Sequence, residues 1–281
     1  MMRSMYSAIS GLRTHQTMLD VTSANLANVN TIGYKSSRTT FKDQLEQTLY
    51  GGSAQGPNTG GTNSAQVGLG VQLGSIDAVM GEGSMMATGN PLDVAIQGEG
   101  WFRIGLGDPS TTPPTMPTQM NYTRAGNFIR NDQGYLVTPE GFYVMGRVTS
   151  TTPATDKFIK IPGGATGAAI GTDGAVSYVP AGGGPRVTAG VIGLAKFPND
   201  SGLLRLSGNR WSAHPAAGVE QVGTPDGLTF GSTIGGTLEM SNVDLAGEFT
   251  NMITAQRGFQ ANSRVISTAD EMLQELVNLK H

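Results

Sequence analysis

The two ends of this chain repeat in sevens while its middle repeats in twos, and that division constrains the fold more than any other feature. In the first 30 residues, Met5, Ile9, Leu12, Leu19 and Leu26 fall on an alternating four-three spacing, with Gln16 and Ser23 in the gaps. Such a stripe is the seam of a helix that packs lengthwise on another helix. In the last 40 residues, Leu245, Met252, Phe259, Ile266 and Leu273 recur every seventh position. Phe249, Gln256, Ser263, Asp270 and Val277 take the alternate seam positions, and a neighbouring stripe holds Val265, Ala269, Met272, Leu276 and Leu279. "SNVD" at 241–244 predicts a helix start capped through Ser241 and Asp244.

Between the ends the period drops to two. Leu92, Val94 and Ile96 alternate in "PLDVAIQGEGWFRI", and Phe102 and Ile104 alternate after "GEG", so a hairpin turn is expected there. Turns are also expected at Asp132–Gly134 and at Pro139–Gly141, where proline presets φ and glycine closes a type I turn. "AIGTDGAVSY" places Asp173-Gly174 between alternating strands, a strong hairpin signal. Phe41, Leu45 and Leu49 recur at i, i+4 and i+8, which predicts one short amphipathic helix. "GGSAQGPNTGGTNSAQ" after it reads as a low-complexity linker or extended arm, and residues 105–118 as a proline-rich loop. The expected fold is α+β. Residues 1–35 and 241–281 form a paired helical terminal domain, 36–70 a linker or arm with a short helix, and 71–240 a β-rich domain.

Composition excludes several functions. Charged residues are 14% of the chain, against roughly 25% in ordinary soluble domains. The net charge of −3 argues against a nucleic-acid partner. No apolar run approaches the ~18 residues of a membrane span, so no membrane insertion is expected. The absence of cysteine removes disulfide and thiolate chemistry. "MMRSMYSAISGLRTHQ" lacks the apolar core and cleavage site of a secretory signal. A cytosolic protein or one exported without cleavage both fit.

No catalytic constellation stands out. His15, His214 and His281 have no partners at ligand spacing, so no metal site is expected. "IQGEGW" resembles part of a phosphate loop but lacks the closing Lys-Ser/Thr and the helix that follows it. Asp173, Asp200 and Asp226 sit in turn contexts, where aspartate bonds its own backbone. The reading is a protein without enzymatic activity or cofactor.

The terminal helices are the unusual feature. Only Arg3, Arg13 and Asp20 carry formal charge in the first 30 residues, and "SANLANVN" ends the helix on Asn25, Asn28 and Asn30. Small polar residues let further helices approach without stranding a buried charge. One reading is a two-helix stalk folded onto its own β domain. The other is a helical pair packed against copies of itself, a heterologous contact that generates open helical polymers. Asn28 and Asn30 also suit simple helix capping.

The motifs themselves resemble a family. "SGLRTHQTMLDVTSANLANVNTIGYKSSR" is similar to the N-terminal signature of bacterial flagellar rod and hook proteins, and "SNVDLAGEFTNMITAQRGFQANSRVISTADEMLQELVNLK" to their C-terminal signature. "LDVAIQGEGWFRI", "YTRAGNF" and "GYLVTPEGFYVMG" resemble their shared β domain. The resemblance spans nearly the whole chain. It implies a self-assembling axial subunit, exported uncleaved through the flagellar type III apparatus to the hook or basal body. Residues 256–264, "QRGFQANSR", and the ending "ELVNLK" resemble the hook rather than the distal rod, so a hook subunit acting as a flexible joint is expected, with the distal rod protein as alternative. The length departs from longer hook proteins, and the 36–70 segment is long, as in the distal rod. The hook reading implies contacts with the distal rod protein, the hook cap and the hook–filament junction protein. The inner wall would use Met5, Ile9, Leu12, Leu19, Leu26 and Asn28 against Leu245, Phe249, Met252, Phe259, Ile266, Leu273 and Val277, with Tyr34 packing between inner and outer layers. A reading from another class, a β-rich adhesin on a coiled-coil stalk, requires an exposed aromatic platform around Trp101 or Trp211.

Overall fold

The computed structural model describes residues 2–56, 60–109, 115–117, 119–148, 155–225 and 228–279. His281, Asp226 and residues 110–114 and 118 of the proline-rich loop lie outside the described residues. The fold is α+β, with a helix at each end and a mostly β middle. The chain divides into two compact units. The first holds Met1–Ala27, Ser37–Val79 and Asp244–His281, and the second holds Asn28–Ser36 and Met80–Val243.

In the first unit, α1 (Met2–Ala27) packs on α2 (Leu245–Asn278). Their lengths are about 39 and 51 Å at ~1.5 Å per residue. The cap of α2 is Asp244, whose carboxylate accepts from Ala246 N. Ser241 lies in the other unit, so the expected start moves to the residue nearest the first turn. Four strands complete the unit: β1 (Ser37–Asp43), β2 (Glu46–Tyr50), β3 (Ala65–Gly68) and β4 (Val71–Ala78). β1 pairs antiparallel with β4, and β2 with β3. Gln44 N donates to Gly70 O, Leu69 N to Leu45 O, and Ser53 exchanges backbone bonds with Thr62. The result is one two-stranded ribbon, about 50 Å along at ~3.3 Å per residue.

This ribbon corrects the expected short helix over 41–49 and moves the start of β structure from residue 71 to Ser37. Phe41, Leu45 and Leu49 do share a helical period. Thr39, Thr40 and Thr48, however, disfavour helix, and β4 and β3 supply complete partner ladders. A bulge at Thr40–Phe41 lets Gly74 lie under Thr40, whose Oγ1 would stand 2.9 Å from a β-carbon there.

The second unit is built on a sheet of thirteen strands among the described residues. Its main path runs Thr166–Ile170, Ala175–Val179, Val187–Ile192, Tyr143–Val148, Trp101–Gly105, Met120–Thr123, Arg210–Ser212 and Leu204–Arg205, each antiparallel to the next. The core gathers Val94, Ile96, Phe102, Ile104, Phe128, Leu136 and Val144 with Ile192 and Leu194. The turns at Gly134, Gly141 and Gly174 form as expected, each glycine at positive φ.

"GEG" does not close a hairpin. Val94–Gln97 pairs instead with Ser232–Gly235, and Trp101–Gly105 belongs to the large sheet. Gly98 and Gly100, at φ of 101° and 138°, turn the chain from one sheet into the other. Trp101 and Trp211 are both buried, with ring centroids 5.7 Å apart, so neither supplies the exposed platform that the adhesin reading requires.

Candidate assembly surface

The α1–α2 seam is made of small residues. Ala8, Gly11, Thr14, Thr22 and Asn25 are buried on α1, and Ala255 and Ala269 on α2. Gly11 faces Asn262, and a β-carbon on Gly258 would stand 2.5 Å from the His15 ring. Asn25 Nδ2 donates to Glu248 Oε1 at 3.1 Å. Each step down α1 is matched by an equal step up α2, so the helices run antiparallel.

Asn25 explains the polar helix end within this unit. It is 1% exposed. Its Oδ1 accepts from Ser37 N at 2.9 Å and its Nδ2 donates to Ser37 O at 2.8 Å, fixing the start of the ribbon. Asn28 does different work in the second unit, where its Oδ1 accepts from Thr31 Oγ1 and its carbonyl from Thr31 N, a local capping turn.

The large apolar residues expected at the seam flank it instead. Met5, Ile9, Leu12, Leu19 and Leu26 are half-buried, as are Met252, Ile266 and Leu273. Leu245, Phe249, Phe259 and Val277 are exposed, together with Ile253, Val265, Met272, Leu276 and Leu279. The reason is steric: small residues bring the axes close and push bulky side chains outward. The register set by Gly11 and Asn262 exhausts α1 at Glu271. The last turns of α2 therefore run on without α1 beside them, and Leu276 is 51% and Val277 62% exposed. On the ribbon, Leu45 is 81% exposed, and Leu49 and Tyr50 are also bare.

The second unit contains two buried charge clusters that sequence reasoning missed. Lys35 Nζ lies 2.7 Å from Glu239 Oε1, and Arg124 Nη1 lies 3.3 Å from Glu239 Oε2. Burial pushes the Lys35 ammonium below the usual lysine range, against the opposing pull of Glu239. Arg124 Nη2 donates to Gly98 O, and its guanidinium lies 5.4 Å from the Trp101 ring centroid. Arg103 bridges Asp156 and Glu220 at 2.7 Å each. Tyr34, expected at a layer boundary, is buried in this unit under the Arg205 guanidinium at 4.3 Å. The only sequence signal for Lys35 was a lone lysine beside an aromatic in an uncharged stretch.

Among the described residues no group of three or more His, Asp or Glu side chains could hold a metal ion, and no helix is long and apolar enough to cross a membrane. A cavity of about 420 Å³ in the second unit is lined by Asn28, Thr123, Asn127, Glu140 and Arg210 among others, with one carboxylate and no histidine. His15 lies against Phe41 in the first unit, and His214 caps a short 3-10 turn.

Three family models match. "Flagella basal body rod protein" covers residues 5–35, "Flagellar hook protein FlgE/F/G D1 domain" 95–178, and "Flagellar basal body rod FlgEFG protein C-terminal" 234–279. Flagellar basal-body rod protein FlgG of Bacillus subtilis is 48% identical over 284 residues, covering 100% of both chains. The protein of that name in Agrobacterium fabrum is 39% identical, over 96% of this chain and 97% of its own. Flagellar hook protein FlgE of Borreliella burgdorferi is 25% identical in an alignment of 452 residues. Fold and comparisons together define a structural subunit of the bacterial flagellum. The chain belongs to the FlgE/F/G family of flagellar rod and hook proteins.

Between the two expected assignments the comparisons favour the alternative, the distal rod, because the relatives of high identity and equal length carry the rod name. "QRGFQANSR" misled because it lies on α2 around Gly258 and Asn262. Those residues face α1 across the seam.

Proposed function

We propose that this chain is a subunit of the distal flagellar rod, a stiff tube that carries torque outward. One observation carries the self-assembly: a seam of small residues leaves the large apolar face of α2 bare over most of its length. Water is a poor solvent for a stripe that wide, and neighbouring copies supply the cover. The assembly surface then consists of Met5, Ile9, Leu12, Leu19 and Leu26 with Leu245, Phe249, Met252, Phe259, Ile266, Leu273 and Val277. Asn28, which also caps a local turn, is proposed with them.

The rod rather than hook reading is supported by the full-length identity to rod proteins and by the ribbon. A two-stranded ribbon is marginal alone in water. Laid against neighbours, the bare Leu45, Leu49 and Tyr50 would brace the wall against bending. The partners proposed are other copies of this chain, the adjoining axial segments and the flagellar export apparatus. The location proposed is the basal body.

Expression in two strains of a motile bacterium, one lacking its distal rod protein and one lacking its hook protein, tests this. Swimming is expected to return in the first strain. Rescue of the second alone would restore the hook reading.

A further inference from the structure

Three short passages of chain meet at one point of the second unit. They are residues 33–36, 81–84 and 239–242, and each lies within a few residues of a place where the chain leaves that unit. Glu239, in the last of them, bonds to the other two: its carbonyl accepts from Gly33 N at 2.8 Å, and its Oε1 from Lys35 Nζ at 2.7 Å and Gly83 N at 3.0 Å. Asn242 repeats the pattern, its Oδ1 accepting from Ser36 N at 2.8 Å and its Nδ2 donating to Gly81 O at 3.0 Å. Lys35 Nζ also donates to Gly81 O at 2.8 Å. Gly83 lets two of the passages lie this close, and Gly33 lets the remaining one lie against Ala125. A β-carbon on Gly83 would fall 2.0 Å from Met240 O, and Gly33 stands at φ +66° against Ala125 N.

We infer that Lys35, Glu239 and Asn242 form a mechanical clamp, which passes load between the chain exits of the second unit and keeps it off the β core. The bonds act in parallel, so none yields before the others share the force. The Lys35–Glu239 bond at its centre is buried, and water does not compete for it until the flanking bonds have opened. A buried ion pair is a weak source of net stability, but its rupture strands a charge and is costly. That asymmetry suits a lock better than a stabiliser. The inference rests on the geometry of one unit and stands apart from the rod proposal.

Single-molecule pulling on the full chain tests it. The chain has no cysteine, so Gln16→Cys and Gln260→Cys give unique handles on α1 and α2. Separation of the helices comes first in every variant, and the second unit then takes the load. Lys35→Met leaves Glu239 compensated by Arg124, and Asn242→Ala removes the Ser36 and Gly81 bonds without stranding a charge, so one variant serves if the other fails to fold. Either is expected to shorten the lifetime of the second unit at constant force on the order of a hundredfold. Ile192→Val in the core lowers resistance to urea while leaving that lifetime nearly unchanged. If all variants shorten the lifetime only in proportion to their loss of equilibrium stability, the clamp is overturned.

Discussion

Gly11 and Asn262 face each other so closely that a β-carbon on Gly11 would lie 2.6 Å from Asn262 Nδ2 and 3.0 Å from its Cγ. Glycine inside a helix costs about 1 kcal/mol relative to alanine, so its presence marks close approach. Gly11→Ala should be nearly neutral, because the propensity gained offsets the push on a flexible amide. Gly11→Leu should lose about 1–3 kcal/mol by overpacking. Thermal unfolding followed at 222 nm reads both.

Asn25 is satisfied on both sides of its amide. Asn25→Leu keeps roughly the volume but strands Ser37 N and the Glu248 carboxylate, at a cost of about 2–3 kcal/mol. Hydrogen exchange should quicken first at Ser37–Thr40, where the ribbon begins. Unchanged exchange there would mean that β4 alone holds β1.

Asp200 supplies a pH signature. Burial raises its carboxyl above the usual aspartate value of 3.8, although the hydrogen bond from Trp101 Nε1 at 3.1 Å opposes the rise. As pH climbs through 3.8 the unfolded chain releases this proton while the folded chain keeps it. The folded state then binds more protons, so stability falls across that interval and stays lower above it. Asp200→Asn keeps the acceptor for Trp101 and should flatten that fall. Urea midpoints between pH 3 and 7 measure it, and an unchanged slope would assign it to other carboxyls.

The ribbon should stiffen the polymer. Removing residues 52–64 leaves β1 and β4 intact but takes away the outer end of the arm. Filaments of the shortened chain should show a shorter persistence length by electron microscopy. Equal stiffness would remove bracing from the account.

Much of this fold was legible, and the limits are physical. The helices announced themselves through Leu245, Met252 and Phe259, and Asp173-Gly174 marked its hairpin, because both signals are local. The pairing of Val94–Gln97 with Ser232–Gly235 spans about half of the chain and leaves no local trace. Phe41, Leu45 and Leu49 fitted a helix, yet the ladder with distant residues decided their conformation. On the helices the large residues were readable, but their degree of burial was not. Ala8, Gly11 and Ala255 are buried, while Leu245, Phe249, Phe259 and Val277 are exposed and the other large residues half-buried. Lys35 gave no sign of burial because Glu239 lies at the far end of the sequence.

The central claim is that copies of this chain cover the bare face of α2. Electron cryo-microscopy of the polymer formed by the purified protein tests it most directly. The account predicts a straight tube in which Phe249, Phe259, Met272 and Leu276 are buried between neighbouring copies. A tube in which those residues still face solvent, or a chain that stays monomeric at high concentration, would contradict it.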